Sequence, residues 1–295
     1  MALYIPPSVQ GLFLFVNIIV IPELPEVETI RRDLEKEIVG HKIVDLWWDV
    51  PKMLQPSPEA VQKIVGRHIV SAGRIGKLLL IGIENDGTLG IHLKLSGRVF
   101  IRKADDPEDR FTHITFKLDD GRELRFTDFR KFGYAKLIEN GKELKKITDE
   151  YGPEPFTPSF TLDALKNVLS KTYRAVKTVI MDQKKIAGVG NIYADEALWY
   201  AKLHPETPAN KIKEKDAEAL YQGIIKSLEQ GIEDRGTSVD DYLDIYGKEG
   251  FHAKHLNVFR QNGEPCPRCG TIIRKIRVGG RGTHFCPKCQ VEMLK

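Results

Sequence analysis

Cysteine is scarce in this 295-residue chain: there are four, and 265 residues precede the first of them. That distribution sets aside a disulfide scaffold, whose cysteines would be spread through a secreted chain. Long apolar runs are scarce as well. Gly11 to Ile21 is apolar apart from Asn17, but it is too short to span a bilayer, and no Lys or Arg precedes it to make the basic start of a secretion signal. It reads as neither anchor nor export signal. No internal repeat is present. Neither sign of charge is in large excess, with 45 Lys and Arg against 41 Asp and Glu. Apolar residues at 41% and charged residues at 29% exclude a wholly disordered, collagenous or multi-span membrane chain.

The length is about twice that of a usual single domain, so two or three domains are expected. Charge is unevenly placed. Residues 251–295 hold nine Lys and Arg against two Asp and Glu, a local +7 in a chain whose formal net charge is +4. A basic tail of this kind suits a polyanion partner, although basic tails are also common as solvated surface. The four cysteines lie in the same tail, as Cys266-Pro-Arg-Cys269 and Cys286-Pro-Lys-Cys289, with sixteen residues between the inner pair. Two such knuckles can wrap four thiolates around one tetrahedral Zn²⁺, and Gly270 supplies the tight turn after the first pair. The alternative is two disulfides or a redox pair. Four thiolates leave no open coordination position, so the zinc is expected to fold a small β-ribbon and do no chemistry. Catalysis must lie elsewhere.

Residues 22–40 read as a helix: Pro25 suits the first turn, Glu23, Glu26 and Glu28 favour the positive end of the dipole, and Gly40 ends it. From 41 to about 139 short β-rich runs alternate with turns, and Asn85-Asp86-Gly87 and Asp119-Asp120-Gly121 have hairpin chemistry. This predicts an antiparallel sandwich or barrel. Three prolines between Tyr151 and Pro158 mark a linker. Helical spacing returns at 161–171, 176–183, 191–203 and 214–234, with a glycine-containing turn at 184–190. The stretch from Asp240 to Lys254 has glycines and little periodicity, and is expected to be a mobile loop. The expected organisation is an α+β multidomain chain: an extension (1–21), a β-sandwich domain with flanking helices (22–150), a linker (151–160), a helical domain (161–255) and a zinc ribbon (256–295).

Three features combine in order along the chain: the acidic helix start PELPEVETIRR from Pro22, the run KIAGVGNIYADEAL from Lys185, and GRGTHFCPKC from Gly280. On these the chain resembles the formamidopyrimidine-DNA glycosylases, bifunctional base-excision enzymes of the helix–two-turn–helix family. The resemblance covers everything after residue 21. It implies excision of oxidised purines such as 8-oxoguanine and formamidopyrimidines from damaged double-stranded DNA, then β,δ-elimination at the abasic site. It also implies a monomer with one structural zinc, no membrane partner, and a cytoplasmic, nucleoid-associated location.

The resemblance implies roles residue by residue. Pro22 is the nucleophile, whose secondary amine attacks C1′ of the damaged nucleotide. Glu23 is its acid/base partner, Lys77 acts in β-elimination and on phosphate, and Arg281 acts in δ-elimination. Phe132, Arg130 and Leu95 are the wedge that fills the hole left by the flipped base. His92, Lys177 and Asn191 contact DNA. Each residue has a plainer reading: a helix-start proline, a dipole-stabilising Glu, a solvated strand Lys, a phosphate clamp at Arg281, a core Leu95, a packed Phe132, a surface Arg130, an N-cap at Asn191. Two positions depart from the family pattern. Leu95 stands where Met is typical, and Arg110-Phe-Thr-His113 replaces Lys-His-x-His, which removes an imidazole at Phe111. An internal proline nitrogen is an amide without a free lone pair, so residues 1–21 are expected to be absent from the active protein, through a start at the Ile21 codon or through proteolysis. Two rival functions differ in class: an endonuclease VIII-like enzyme for oxidised pyrimidines, and a catalytically silent zinc protein that binds damaged DNA.

Overall fold

The computed structural model describes residues 22–239 and 242–291; the extension 1–21 lies outside the described residues. Helix α1 (Leu24–Glu37) is followed by strands β1 (Ile43–Trp48) and β2 (Leu54–Gln55), helix α2 (Pro58–Gln62), and strands β3 (Ile69–Ile75), β4 (Leu78–Ile83), β5 (Gly87–His92), β6 (Gly97–Lys103), β7 (Thr112–Leu118), β8 (Arg122–Asp128) and β9 (Tyr134–Ile138). These strands form two sheets, ordered β1-β7-β8-β6 and β2-β9-β5-β4-β3. The pairing is antiparallel throughout except for the short β2–β9 contact, which is parallel. Alternation along β4 sends Leu79, Ile81 and Ile83 inward, where they meet Ile91, Val99, Phe116 and Phe126 between the sheets. Asn85 and Asp86 both take positive φ, 65° and 64°, in the β4–β5 hairpin, which gives the turn a twist matching its strands.

Helix α1 belongs to two cores. Val27, Ile30 and Leu34 pack into the sandwich, whereas Leu24, one turn earlier, is buried in the helical domain. The N-terminus of α1 therefore sits at the junction between them. Its start is a capping box in which Glu23 and Glu26 satisfy each other's backbone.

After the sandwich comes α3 (Gly141–Thr148), a helix not foreseen from the sequence although Asn140 caps it by accepting from the Glu143 amide at 3.0 Å. Residues 151–160 carry no helix or strand, but they are tied down: Glu154 pairs with Arg74 at 2.6 Å and accepts from the Gly76 amide. The helical domain contains α4 (Leu162–Ser170), α5 (Val176–Ile180), α6 (Asn191–Ala201) and α7 (Glu214–Glu233). Helix α6 is buried on nearly every side, and α7 packs along it.

The stretch expected to be a mobile loop is packed over its described part. Tyr242 and Ile245 join the sandwich core, and Asp244 folds the segment by accepting from the Tyr246 and Lys248 amides at 3.0 and 2.9 Å. Finally β10 (Arg274–Val278) and β11 (Arg281–Phe285) form a two-stranded ribbon whose turn is Gly279-Gly280, both with positive φ. No helix among the described residues is long and apolar enough to cross a membrane.

Candidate active site

The junction between sandwich, helical domain and ribbon gathers most of the residues singled out from the sequence. Pro22 is buried at the start of α1 and lines a small cleft with Leu95, Ser96 and Tyr242. Glu23, only 1% exposed, turns its carboxyl onto the first turn of α6, accepting from the Ile192 amide at 2.9 Å and the Tyr193 amide at 3.4 Å. The free amides and positive dipole end of a helix favour a carboxylate there. Burial works the other way and is the larger effect: with Lys77 and the two amides opposing it, the carboxyl is still pushed up to about 7. Glu23 is thus a group that can both give and take a proton near neutrality.

Lys77 occupies the β3–β4 turn, shaped by Gly76 at φ 52°. Burial draws its ammonium below the usual lysine range, and Arg281 adds to this, while Glu23 and Glu26 resist it. Gly190 is what lets these groups meet. A Cβ there would lie 2.2 Å from the Glu23 carboxyl carbon and 2.5 Å from Lys77 Nζ, closer than real Cβ atoms come to anything. A side chain at this position would have to push Glu23, Lys77 or both out of place.

Behind Glu23 lies a buried network that sequence reasoning missed. Glu26 accepts from the Glu23 amide at 2.8 Å, from Tyr193 Oη at 2.7 Å and from the Thr237 amide at 2.8 Å. The Glu23 amide is the local half of the capping box, but Tyr193 and Thr237 come from 167 and 211 residues away, so no local motif signals the rest of the set. Its clue in the sequence was weak: a single Tyr, Tyr193, in a stretch read only as helical. Tyr193 also stacks on His252, with ring centroids 5.5 Å apart.

Lys77 and His92 share a cavity of about 310 Å³ with Tyr134, Tyr151, Gln183 and Lys184. His92 Nδ1 accepts from the Lys94 amide at 3.1 Å. Burial, together with the positive charges of Lys94 and Lys77, pushes its imidazole down to about 3. It is neutral at physiological pH, and because Nδ1 accepts, Nε2 carries the proton and is a donor.

The three residues expected to form the wedge lie on two loops joined at one aspartate. Buried Asp128 accepts from the Arg130, Phe132 and Gly133 amides at 3.1, 2.8 and 2.7 Å, and from the Ser96 hydroxyl in the Leu95 loop. The β8–β9 loop is thereby folded so that Arg130 and Phe132 project outward, with the guanidinium 5.2 Å from the centre of the Phe132 ring. Asp128 was not among the residues expected to matter.

Lys177 differs from the expectation that it contacts DNA. It is fully buried, 2.6 Å from Asp195 and 2.8 Å from the Thr283 hydroxyl. An ammonium enclosed on all sides cannot reach a phosphate. Its place is structural, because Asp195 also accepts from the His284 amide at 2.8 Å and so fastens the ribbon to α6. Removing one member of a buried pair leaves the other charge uncompensated. Asp195→Ala should therefore cost about 3 kcal/mol or more of stability, seen as a lower midpoint in denaturant and early exposure of the ribbon to protease. The Asn191 expectation is also modified. It begins α6, but the Ile192 and Tyr193 amides of that turn are occupied by Glu23, so of this turn's donors it is the Asn191 side-chain Nδ2 that is left to meet a phosphate, while its buried Oδ1 accepts from no group among the described residues.

Arg281 is exposed beside the two-glycine turn of the ribbon, close enough for its charge to act on Lys77 and Lys177. At the base of the ribbon the four cysteine sulfurs converge. Cys269 Sγ lies 3.5 Å from Cys286 Sγ and 3.4 Å from Cys289 Sγ, and all four fall within 4.8 Å of one another. A tetrahedron with Zn–S of 2.3 Å has edges of about 3.8 Å, whereas a disulfide would bring two sulfurs to about 2.05 Å. The Trp199 indole N–H points at Cys266 Sγ from 3.4 Å, a donor suited to a thiolate. The residues fit a structural zinc.

Comparison with known proteins agrees at each level. Residues 21–135 match the family described as the formamidopyrimidine-DNA glycosylase N-terminal domain, residues 151–242 its H2TH domain, and residues 263–291 the zinc finger found in FPG and IleRS. The formamidopyrimidine-DNA glycosylase of Herpetosiphon aurantiacus is 45% identical over 274 residues, covering 91% of this chain and 99% of that protein. This chain belongs to the formamidopyrimidine-DNA glycosylase family. It is a DNA-repair glycosylase and abasic-site lyase. Solved structures agree with this: Lactococcus lactis Fpg with Fapy-dG-containing DNA superposes with a TM-score of 0.85 at 39% identity, and the same organism's Fpg with DNA containing an oxidised pyrimidine with a TM-score of 0.86 at 38% identity. Each covers 92% of this chain and all of the other.

Proposed function

We propose that this glycosylase removes oxidised purines, 8-oxoguanine and formamidopyrimidines, from duplex DNA through an amine at Pro22, then nicks the abasic strand by β,δ-elimination. The observation that carries the reading is the buried Glu23 carboxyl, poised near neutrality beside Pro22 and Lys77 and walled by Gly190. The secondary amine of an N-terminal proline attacks C1′, the C1′–N glycosidic bond breaks, and the base departs with a proton. Glu23 gives its proton to the ring oxygen O4′, opening the sugar and leaving an iminium on C1′. Loss of a C2′ proton then expels the 3′ phosphate, with Lys77 in reach. A second elimination, with loss of the C4′ proton, expels the 5′ phosphate, a step in which Arg281 acts. Hydrolysis of the iminium returns the amine.

Leu95, Arg130 and Phe132 fill the space of the everted nucleotide, and His92, Asn191 and Arg281 hold phosphates. The chemistry needs a proline nitrogen that is an amine, so residues 1–21 are absent from the active form. The partner is damaged double-stranded DNA, engaged by a monomer where the chromosome lies, in the cytoplasm. Cys266, Cys269, Cys286 and Cys289 hold one zinc, which supplies no chemistry to the reaction and orders the ribbon that carries Arg281. Stripping the metal with a chelator should collapse the ribbon. Lesion-duplex affinity should fall at least tenfold, with a shallower salt dependence as phosphate contacts are lost.

The Pro22-Glu-Leu-Pro25 start and the Arg130-Lys-Phe-Gly133 loop favour purine lesions over the endonuclease VIII-like choice. A Lactococcus lactis relative nevertheless holds an oxidised pyrimidine, so the test compares both. Single-turnover cleavage should be faster on 8-oxoguanine duplex than on thymine-glycol duplex; the reverse order overturns the substrate assignment.

A further inference from the structure

Two exposed aromatic rings stand beside the wedge without a role in the chemistry above. Phe111 precedes β7 and Phe129 follows β8, and because those strands pair antiparallel with Thr112 opposite Thr127, the two rings emerge side by side, centroids 6.1 Å apart. They are 43% and 46% exposed. Phe111 is held at φ 66°, a left-handed conformation costly for an aromatic residue, and its carbonyl accepts from the Asp128 amide at 3.0 Å. The ring lies at the surface on backbone tied to the same aspartate that folds the Arg130–Phe132 loop. Positive groups flank the pair: the Arg110 guanidinium lies 4.6 Å from the centre of the Phe111 ring, and exposed Arg130 and Lys131 follow Phe129 directly.

We infer that Phe111 and Phe129 form an apolar shelf for the DNA strand opposite the lesion, seating the deoxyribose and base edges next to the orphaned base. The occupant follows from continuity and charge. Phe129 is adjacent in the chain to Arg130, which on the proposed function enters the hole left by the everted nucleotide and there meets the base that has lost its partner, so the surface beside it meets the strand opposite the lesion; the cations around the rings suit a polyanion. The contact is apolar, which separates it from every phosphate contact named above. An aromatic or apolar contact to nucleic acid adds affinity without releasing counterions.

The inference rests on the base-excision reading, and the test keeps the two apart. The F111N/F129A double variant retains the backbone, since Asn tolerates positive φ. Measured against a duplex carrying a non-cleavable abasic analogue, its Kd should rise about tenfold, with the slope of log Kd against log salt unchanged and the excision rate at saturating enzyme within twofold of the parent. On the lesion strand alone, variant and parent should bind alike. An unchanged duplex Kd, a changed salt slope, or an equal loss on single-stranded DNA would each overturn the shelf while leaving the enzyme's function intact. A parent protein that neither prefers lesion DNA nor forms a borohydride adduct would defeat both readings.

Discussion

Gly190→Ala should abolish base excision in a protein that remains folded. The added methyl would fall 2.2 Å from the carboxyl carbon of Glu23 and 2.5 Å from Lys77 Nζ. Both are side-chain ends, so the fold can yield where the chemistry cannot. Glu23 can move away only by giving up the Ile192 and Tyr193 amides, and Lys77 only by leaving the place from which its charge acts on Glu23. Displacing a general acid by about an ångström costs on the order of a hundredfold; losing its proton transfer and the lysine together should bring the fall in single-turnover excision to roughly 10³-fold or more. Circular dichroism and zinc content should match the parent. Gly190→Ala with excision within tenfold of the parent would mean that Glu23 and Lys77 do not act from this position.

Glu23→Gln should be nearly as damaging and should change the pH profile. Gln preserves the shape but has no proton to deliver, so excision should fall by 10²- to 10⁴-fold, roughly the contribution of a positioned acid. The sign of the pH effect follows from a carboxyl raised to about 7. Below that value Glu23 holds its proton and can act as an acid; as pH rises through 7 the proton is lost and the rate declines. The proline amine imposes the opposite limb, since it is protonated and inert below an ordinary α-amino value of about 8. The parent should show a bell, and Glu23→Gln should lose the alkaline fall, its residual rate rising to a plateau. A parent rate that climbs steadily to pH 9 would remove Glu23 from the acid role.

Short-range features were readable from the sequence because their causes are short-range. The hairpin at Asn85-Asp86 needs positive φ at two successive residues, and Asn and Asp tolerate it. The zinc knuckles depend on a four-residue spacing and on the ribbon between them. The resemblance named Pro22, Glu23, Lys77 and Arg281 one by one, and it is the fold that gathers them at one junction. What escaped was anything made by packing distant segments. Glu23 lies 169 residues from the amide it binds, and Glu26 lies 211 from Thr237; neither spacing leaves a periodic trace. Lys177 was expected to contact DNA only because the resemblance implied it, and only the fold reveals the buried Asp195 with which it pairs. Asp128 carries no signal of its own in the sequence, yet it is the point where the Leu95 loop and the Arg130–Phe132 loop are joined. The helix at 141–148 was hidden for another reason: its Asn-Gly start has the composition of a turn, and the helix buries none of its residues fully.

Borohydride trapping on a lesion-containing duplex, run in parallel on the chain beginning at Pro22 and on the chain that keeps residues 1–21, tests the central claim most directly. The account predicts a covalent protein–DNA adduct mapped by mass spectrometry to the Pro22 nitrogen in the first protein and none in the second. An adduct of equal yield on the longer chain, with its leading residues shown to be intact, would contradict it.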